Sequence, residues 1–172
     1  MNASKAAAAA CLAVTATLSG MTSTAHAADE QVCLVNEVVA FSEPVTNTPK
    51  TVGVTVKGQL FNCTNGAAAT GSYTETATLP NYTCTALFYQ GAGTRVFTWT
   101  DPAVTPSTYS YNRTSSRVGA NIVIVLLGSI NHGTFATEPA KMQLTALNPD
   151  PISCATTGVS QLSLVGALTV GL

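Results

Sequence analysis

Apolar and polar residues alternate with a period of two along most of this chain, from Val32 to Val170. That period belongs to β-strands with one buried face. It predicts a first strand over Val32 to Phe41 and a second through Val52, Val54, Val56, Gly58 and Leu60, with a loop from Glu43-Pro44 to Pro49 between them. From Ser72 to Leu79, Tyr73, Ala77 and Leu79 share one face, while Ser72, Thr74, Thr76 and Thr78 share the other. Pro80-Asn81 breaks that run, Thr83 to Gln90 reads as a further strand, and Gly91-Ala92-Gly93 as a tight connection to Thr94–Thr100. There Phe97 and Trp99 share a face, which makes Trp99 a core anchor. Past the Asp101-Pro102 and Pro106 loop, Tyr109 and Tyr111 alternate, and Val118-Gly119-Ala120-Asn121 predicts a hairpin turn. Ile122 to Leu127 is apolar on both faces, as in a central strand. Asn131-His132-Gly133 turns the chain, Lys141 to Leu147 alternates again, and Ile152 to Gly158 has room for one helical turn. Leu162, Leu164, Gly166, Leu168 and Val170 form the last strand. About 8–9 short strands with turn signals at this spacing predict a single all-β domain, an antiparallel sandwich.

The N-terminus follows a different rule. A basic start (Met1 to Lys5) leads into an apolar run, Ala6 to Leu18, and then to the small-x-small triplet Ala25-His26-Ala27. Residues 1–27 are therefore expected to be a secretory signal peptide cleaved between Ala27 and Ala28, leaving 28–172 as a secreted, extracellular domain. The apolar run is too short to span a bilayer, and Cys11 leaves with it. In an exported chain the remaining four cysteines, Cys33, Cys63, Cys84 and Cys154, predict two disulfides. Three connectivities are open. Cys63–Cys84 would close a local strand-turn-strand and Cys33–Cys154 would tie the chain ends, so this pairing is the favoured expectation. No two cysteines are close in sequence and His132 is the one histidine after cleavage, so neither a metal site nor a cofactor is expected.

Composition narrows the partners. The mature chain carries six Lys/Arg against eight Asp/Glu, which excludes the basic footprint of a nucleic-acid or anionic-lipid binder. Its 23 threonines favour strands over helices. Nucleophilic catalysis would need a base beside an activated nucleophile. Ser129 precedes His132 by three residues, but Gly128-Ser129-Ile130-Asn131 lacks the second glycine of a nucleophile elbow. Glu75, Asp101, Glu138 and Asp150 offer no distinguishable carboxylate pair, and the run at Asp150 lacks the repeated acids of a calcium loop. No catalytic residue is expected. Tyr73, Tyr82, Tyr89, Tyr109, Tyr111 and Trp99 remain. Exposed, they would stack on sugars; spaced as strand faces, they pack inside, which is the favoured reading.

Several segments carry a resemblance: Gly93-Thr94-Arg95 with Phe97 and Trp99, Ser107 to Thr114 with Val118-Gly119, Gly128-Ser129-Ile130 with Gly133 and Phe135, and Ser153 to Val159. Together they resemble a family of small secreted actinobacterial proteins, over Thr51 to Val170. The resemblance implies an immunoglobulin-like sandwich and transfers no catalytic residue. His132 and Thr137-Glu138-Pro139 stand where that family has small residues. The leading expectation is a non-catalytic envelope or extracellular interaction protein, its partner open among an envelope protein, a surface glycan and a small hydrophobic ligand. A module binding a surface glycan or a small hydrophobic ligand between the sheets comes second; its architecture resembles the secreted apoproteins that carry enediyne antibiotics. A small secreted hydrolase comes third.

Overall fold

The computed structural model describes residues 31–88 and 90–171. The leader and its Ala27/Ala28 cleavage site lie outside the described residues. Eight antiparallel strands follow one another: β1 (Gln31–Val45), β2 (Lys50–Phe61), β3 (Gly71–Tyr82), β4 (Gly91–Trp99), β5 (Ser107–Val118), β6 (Asn121–His132), β7 (Pro139–Leu147) and β8 (Val159–Val170). Each pairs with its neighbour in sequence, and β1 also pairs with β8, from Gln31↔Val170 to Ala40↔Gln161. The sheet therefore closes into a barrel.

All-β antiparallel structure with two disulfides matches the expectation; the two-sheet sandwich does not. A period of two reports one buried face and is silent on what lies across from it. Strands of 9 to 15 residues exceed the usual five or so. Long meandering strands that tilt and coil can bring the first edge round to the last, which leaves no free edge at β1 or β8. A barrel has no central strand either. On β6, Ile122, Ile124 and Leu126 point inward and are buried, whereas Leu127 on the outer face is 56% exposed.

The segment expected as a strand at Thr83–Gln90 is instead a short 3₁₀ helix, Cys84–Phe88, begun by the Thr83 hydroxyl accepting the Ala86 N–H. The turn expected after Pro151 is α1 (Pro151–Ala155), and Asp150 caps it by accepting the N–H groups of Ile152 and Ser153. Asp150 is thereby committed to the helix start.

The disulfides are Cys33–Cys63 and Cys84–Cys154, not the expected Cys63–Cys84 and Cys33–Cys154. Cys63 and Cys84 flank the whole of β3, whose twelve residues span roughly 40 Å, so they sit at opposite ends of the barrel. Leu34↔Phe61 pairing instead brings Cys33 beside Cys63, with their Cα atoms 4.1 Å apart. Each bridge closes a long loop and stabilises the fold by roughly 2–4 kcal/mol.

Inside, small residues make room for rings. A Cβ at Gly58 would strike the Tyr73 ring, and one at Gly93 the Tyr111 ring. At Gly128 and Gly166 a Cβ would meet the Ser110 and Gln143 carbonyls of the adjacent strands, so glycine there allows the tight coiling that closure needs. Outside, β3 and β5 present rows of threonine and serine, while β1 exposes Val32, Leu34 and Val38. Among the described residues no helix is long and apolar enough to cross a membrane.

Candidate ligand cavity in the barrel

The interior divides into two halves. At the end where β1 starts and β8 finishes, aromatic rings fill the barrel. Phe97 is the hub, with ring centroids 5.7 Å from Tyr73, 5.7 Å from Tyr109 and 6.1 Å from Trp99. The polar atoms of this packing are satisfied. Trp99 Nε1 donates to Ser107 Oγ at 2.9 Å, and the Tyr109 hydroxyl donates to the Leu126 carbonyl at 2.7 Å.

At the other end the inward positions are aliphatic and small: Val39, Val54, Val56, Ala77, Ile124 and Ala146. They leave a cavity of about 170 Å³. Phe41 and Tyr82, with ring centroids 5.9 Å apart, flank its mouth.

Between the halves lies a charged floor. The Arg95 guanidinium, 4% exposed, donates from Nη1 to Glu37 Oε2 at 2.9 Å. Its Nε and Nη2 donate to Glu75 Oε2 at 3.1 and 3.0 Å. The Tyr73 hydroxyl donates to Glu37 Oε2 and the Tyr111 hydroxyl to Glu75 Oε1, both at 2.6 Å. The guanidinium also lies 4.2 Å from the Tyr73 ring centroid. Burial works against the Arg95 charge, but Glu37 foremost, then the tyrosine hydroxyls and Glu75, hold its pKa above the ordinary value. Burial, reinforced by Glu37, pushes the Tyr73 hydroxyl far up; burial does the same to Tyr111 against the pull of Arg95. Both tyrosines are therefore neutral donors at physiological pH. Arg113 lines the cavity one inward position beyond Tyr111 on β5, toward the mouth.

Two features frame access. β3 and β4 pair at Gly71↔Trp99 and Ser72↔Thr98 and, among the described residues, nowhere else. Beyond those pairs the seam is spanned by the Arg95–Glu75 ion pair, and Ala77, though it lines the cavity, is exposed. At the mouth, Cys84–Cys154 ties the β3–β4 connection to α1. The β1–β2 loop lies between them, Thr46 accepting from the Cys84 N–H and Asn47 donating to the Cys154 carbonyl.

The expected chemistry falls out differently from its sequence reading. Tyr73, Tyr82, Tyr109, Tyr111 and Trp99 are all buried, so none of the five is an exposed sugar platform; Tyr89 lies outside the described residues. Glu75 is in the cavity floor, while Asp101 and Glu138 sit in loops at the aromatic end and Asp150 caps α1. No carboxylate pair forms among those four. His132 is exposed at the end of β6, and the Ser129 hydroxyl is bonded to Asn131. The residues that sequence reasoning passed over are Glu37 and Arg95. Their signal was present: each occupies an inward phase, Glu37 between Val35 and Val39, Arg95 between Gly93 and Phe97. Comparison with protein families, with curated proteins and with solved structures finds no match, so the geometry alone carries the functional reading.

Proposed function

We propose that this protein is a non-catalytic, extracellular barrel that binds a small apolar ligand in the cavity half of its interior. One observation carries the reading. An eight-stranded barrel is just wide enough either to be filled by side chains or to hold one small ligand, and this one is filled below Arg95 and open above it. The lining is apolar with a few convergent polar groups, the usual make-up of a small-molecule site. Binding fits better than turnover, because among the described residues the lining holds no histidine, serine or cysteine and the floor charges are engaged with one another. The signal-like leader and the two disulfides support export.

The test uses ethylbenzene as a probe, followed by ligand-observed NMR on the folded protein and on Ala146→Leu. Ala146 is 4% exposed and faces the cavity, so the larger side chain occupies the space without touching the floor. Saturation transfer to ethylbenzene in the parent and its loss in Ala146→Leu is the expected result. No transfer in the parent, or equal transfer in both, overturns the cavity as a binding site.

A further inference from the structure

We propose that the ligand is a small apolar amine, held with its ammonium group on the Glu75 carboxylate and its hydrocarbon body among Val54, Val56, Ile124 and Ala146. This rests on the cavity being the ligand site. Size comes first. A space of about 170 Å³ compares with the ~150 Å³ that accommodates benzene, which limits the guest to roughly ten non-hydrogen atoms and excludes long acyl chains and oligosaccharides.

Charge comes next. The floor holds two carboxylates, Glu37 and Glu75, against one guanidinium, Arg95. A buried arginine beneath an apolar pocket would ordinarily suit a carboxylate guest. Here that role is taken: Arg95 already donates to both glutamates and lies against the Tyr73 ring. An incoming carboxylate would meet two of its own kind. Within the floor the acids outnumber the bases by one, while Arg113 nearer the mouth brings the whole lining into formal balance.

Geometry selects the attachment point. Both glutamates line the cavity, but Glu37 is 4% exposed whereas Glu75 is 22% exposed. A carboxylate offers about four acceptor sites, and Glu75 receives two N–H groups from Arg95 and one O–H from Tyr111. One site is left for a donor from the cavity.

A matched series decides it: 2-phenylethylamine, 2-phenylethanol, phenylacetate and ethylbenzene, titrated by calorimetry against the parent and Glu75→Gln. The expected result is that the amine binds about tenfold more tightly than the alcohol, that phenylacetate binds most weakly, and that Glu75→Gln removes the amine's advantage while ethylbenzene affinity stays within about threefold. Phenylacetate binding as well as or better than the amine overturns the amine assignment while leaving the cavity reading intact. So does equal affinity across the series. Binding of none of the four overturns both. If Glu75→Gln does not fold, the ranking on the parent protein still decides.

Discussion

Below Arg95 the barrel interior holds Tyr73, Phe97, Trp99 and Tyr109, from β3, β4 and β5, in ring-to-ring contact; above it β1, β2, β6 and β7 supply valine, isoleucine and alanine around open space. The aromatic half is tightly fitted: Tyr73 lies over Gly58 and Trp99 over Gly71 on the paired strand, and the polar atoms of Tyr73, Trp99 and Tyr109 all have partners. The aliphatic half gives up that burial. A void lined by side chains forfeits the dispersion contacts that packing would supply, so retaining one is a cost the aromatic half must offset. The charged floor is the wall between them. Without it, neighbouring side chains would have an apolar route by which to collapse into the space.

Breaking the wall gives the largest effect. Arg95→Met leaves Glu37 and Glu75 in the interior without their counter-charge, and breaking a buried pair in this way typically costs about 3–5 kcal/mol; urea unfolding reads it. An unfolding free energy within about 1 kcal/mol of the parent would show that the floor does not hold the halves apart.

Alkali probes the hydroxyls next. Burial raises the pKa of Tyr73, Tyr109 and Tyr111 in the folded protein, and that of Tyr82 at the mouth. An unfolded tyrosine loses its proton near pH 10, before the folded one does. Stability is therefore intact below that pH and drains as pH rises through and beyond it, by roughly 1 kcal/mol per buried tyrosine at pH 11. The absorbance change of tyrosinate should appear together with unfolding rather than ahead of it. Free titration of all the tyrosines in a folded barrel would contradict their burial.

Truncation then compares the halves directly. Phe97→Ala removes the hub of the aromatic cluster and should cost about 3–4 kcal/mol. Val54→Ala enlarges a space that already exists and should cost about 1–2 kcal/mol. Equal costs in thermal or urea unfolding would erase the distinction between a packed and a yielding half.

How much of this could be read from the residues is itself uneven. Most strand positions, the hairpin at Gly119-Ala120, the burial of Trp99 and the presence of two disulfides were legible, because each follows from local spacing or compartment chemistry. Closure was not, since Gln31↔Val170 pairing joins residues from the two ends of the domain and nothing local records it. The disulfide partners depended on strand register and on which end of the barrel each cysteine reaches: Cys33–Cys63 follows from the pairing of β1 with β2, and Cys84–Cys154 joins two connections at the opposite end. The Thr83–Gln90 segment carries strand-like composition, but Cys84–Phe88 within it forms a 3₁₀ helix where Cys84 is anchored to Cys154. The cavity floor needed residues from β1, β3 and β4 to meet. A period count treats Glu37, Glu75 and Arg95 as interruptions of a buried face, and only their mutual contact turns three exceptions into one feature.

The split seam between β3 and β4 has a consequence for assembly. Past Ser72↔Thr98 each strand presents a row of backbone groups with no ladder partner among the described residues, the kind of edge on which foreign strands add and aggregates grow. This edge is guarded. Pro80 removes a backbone donor from the β3 row, and Glu75 and Arg95 face inward from the two rims, where an intruding strand would have to bury or separate their charges. The ion pair that floors the cavity thus also protects the barrel against polymerisation through its own gap, and replacing it with well-packed apolar residues would close the gap to ligands while opening it to other chains.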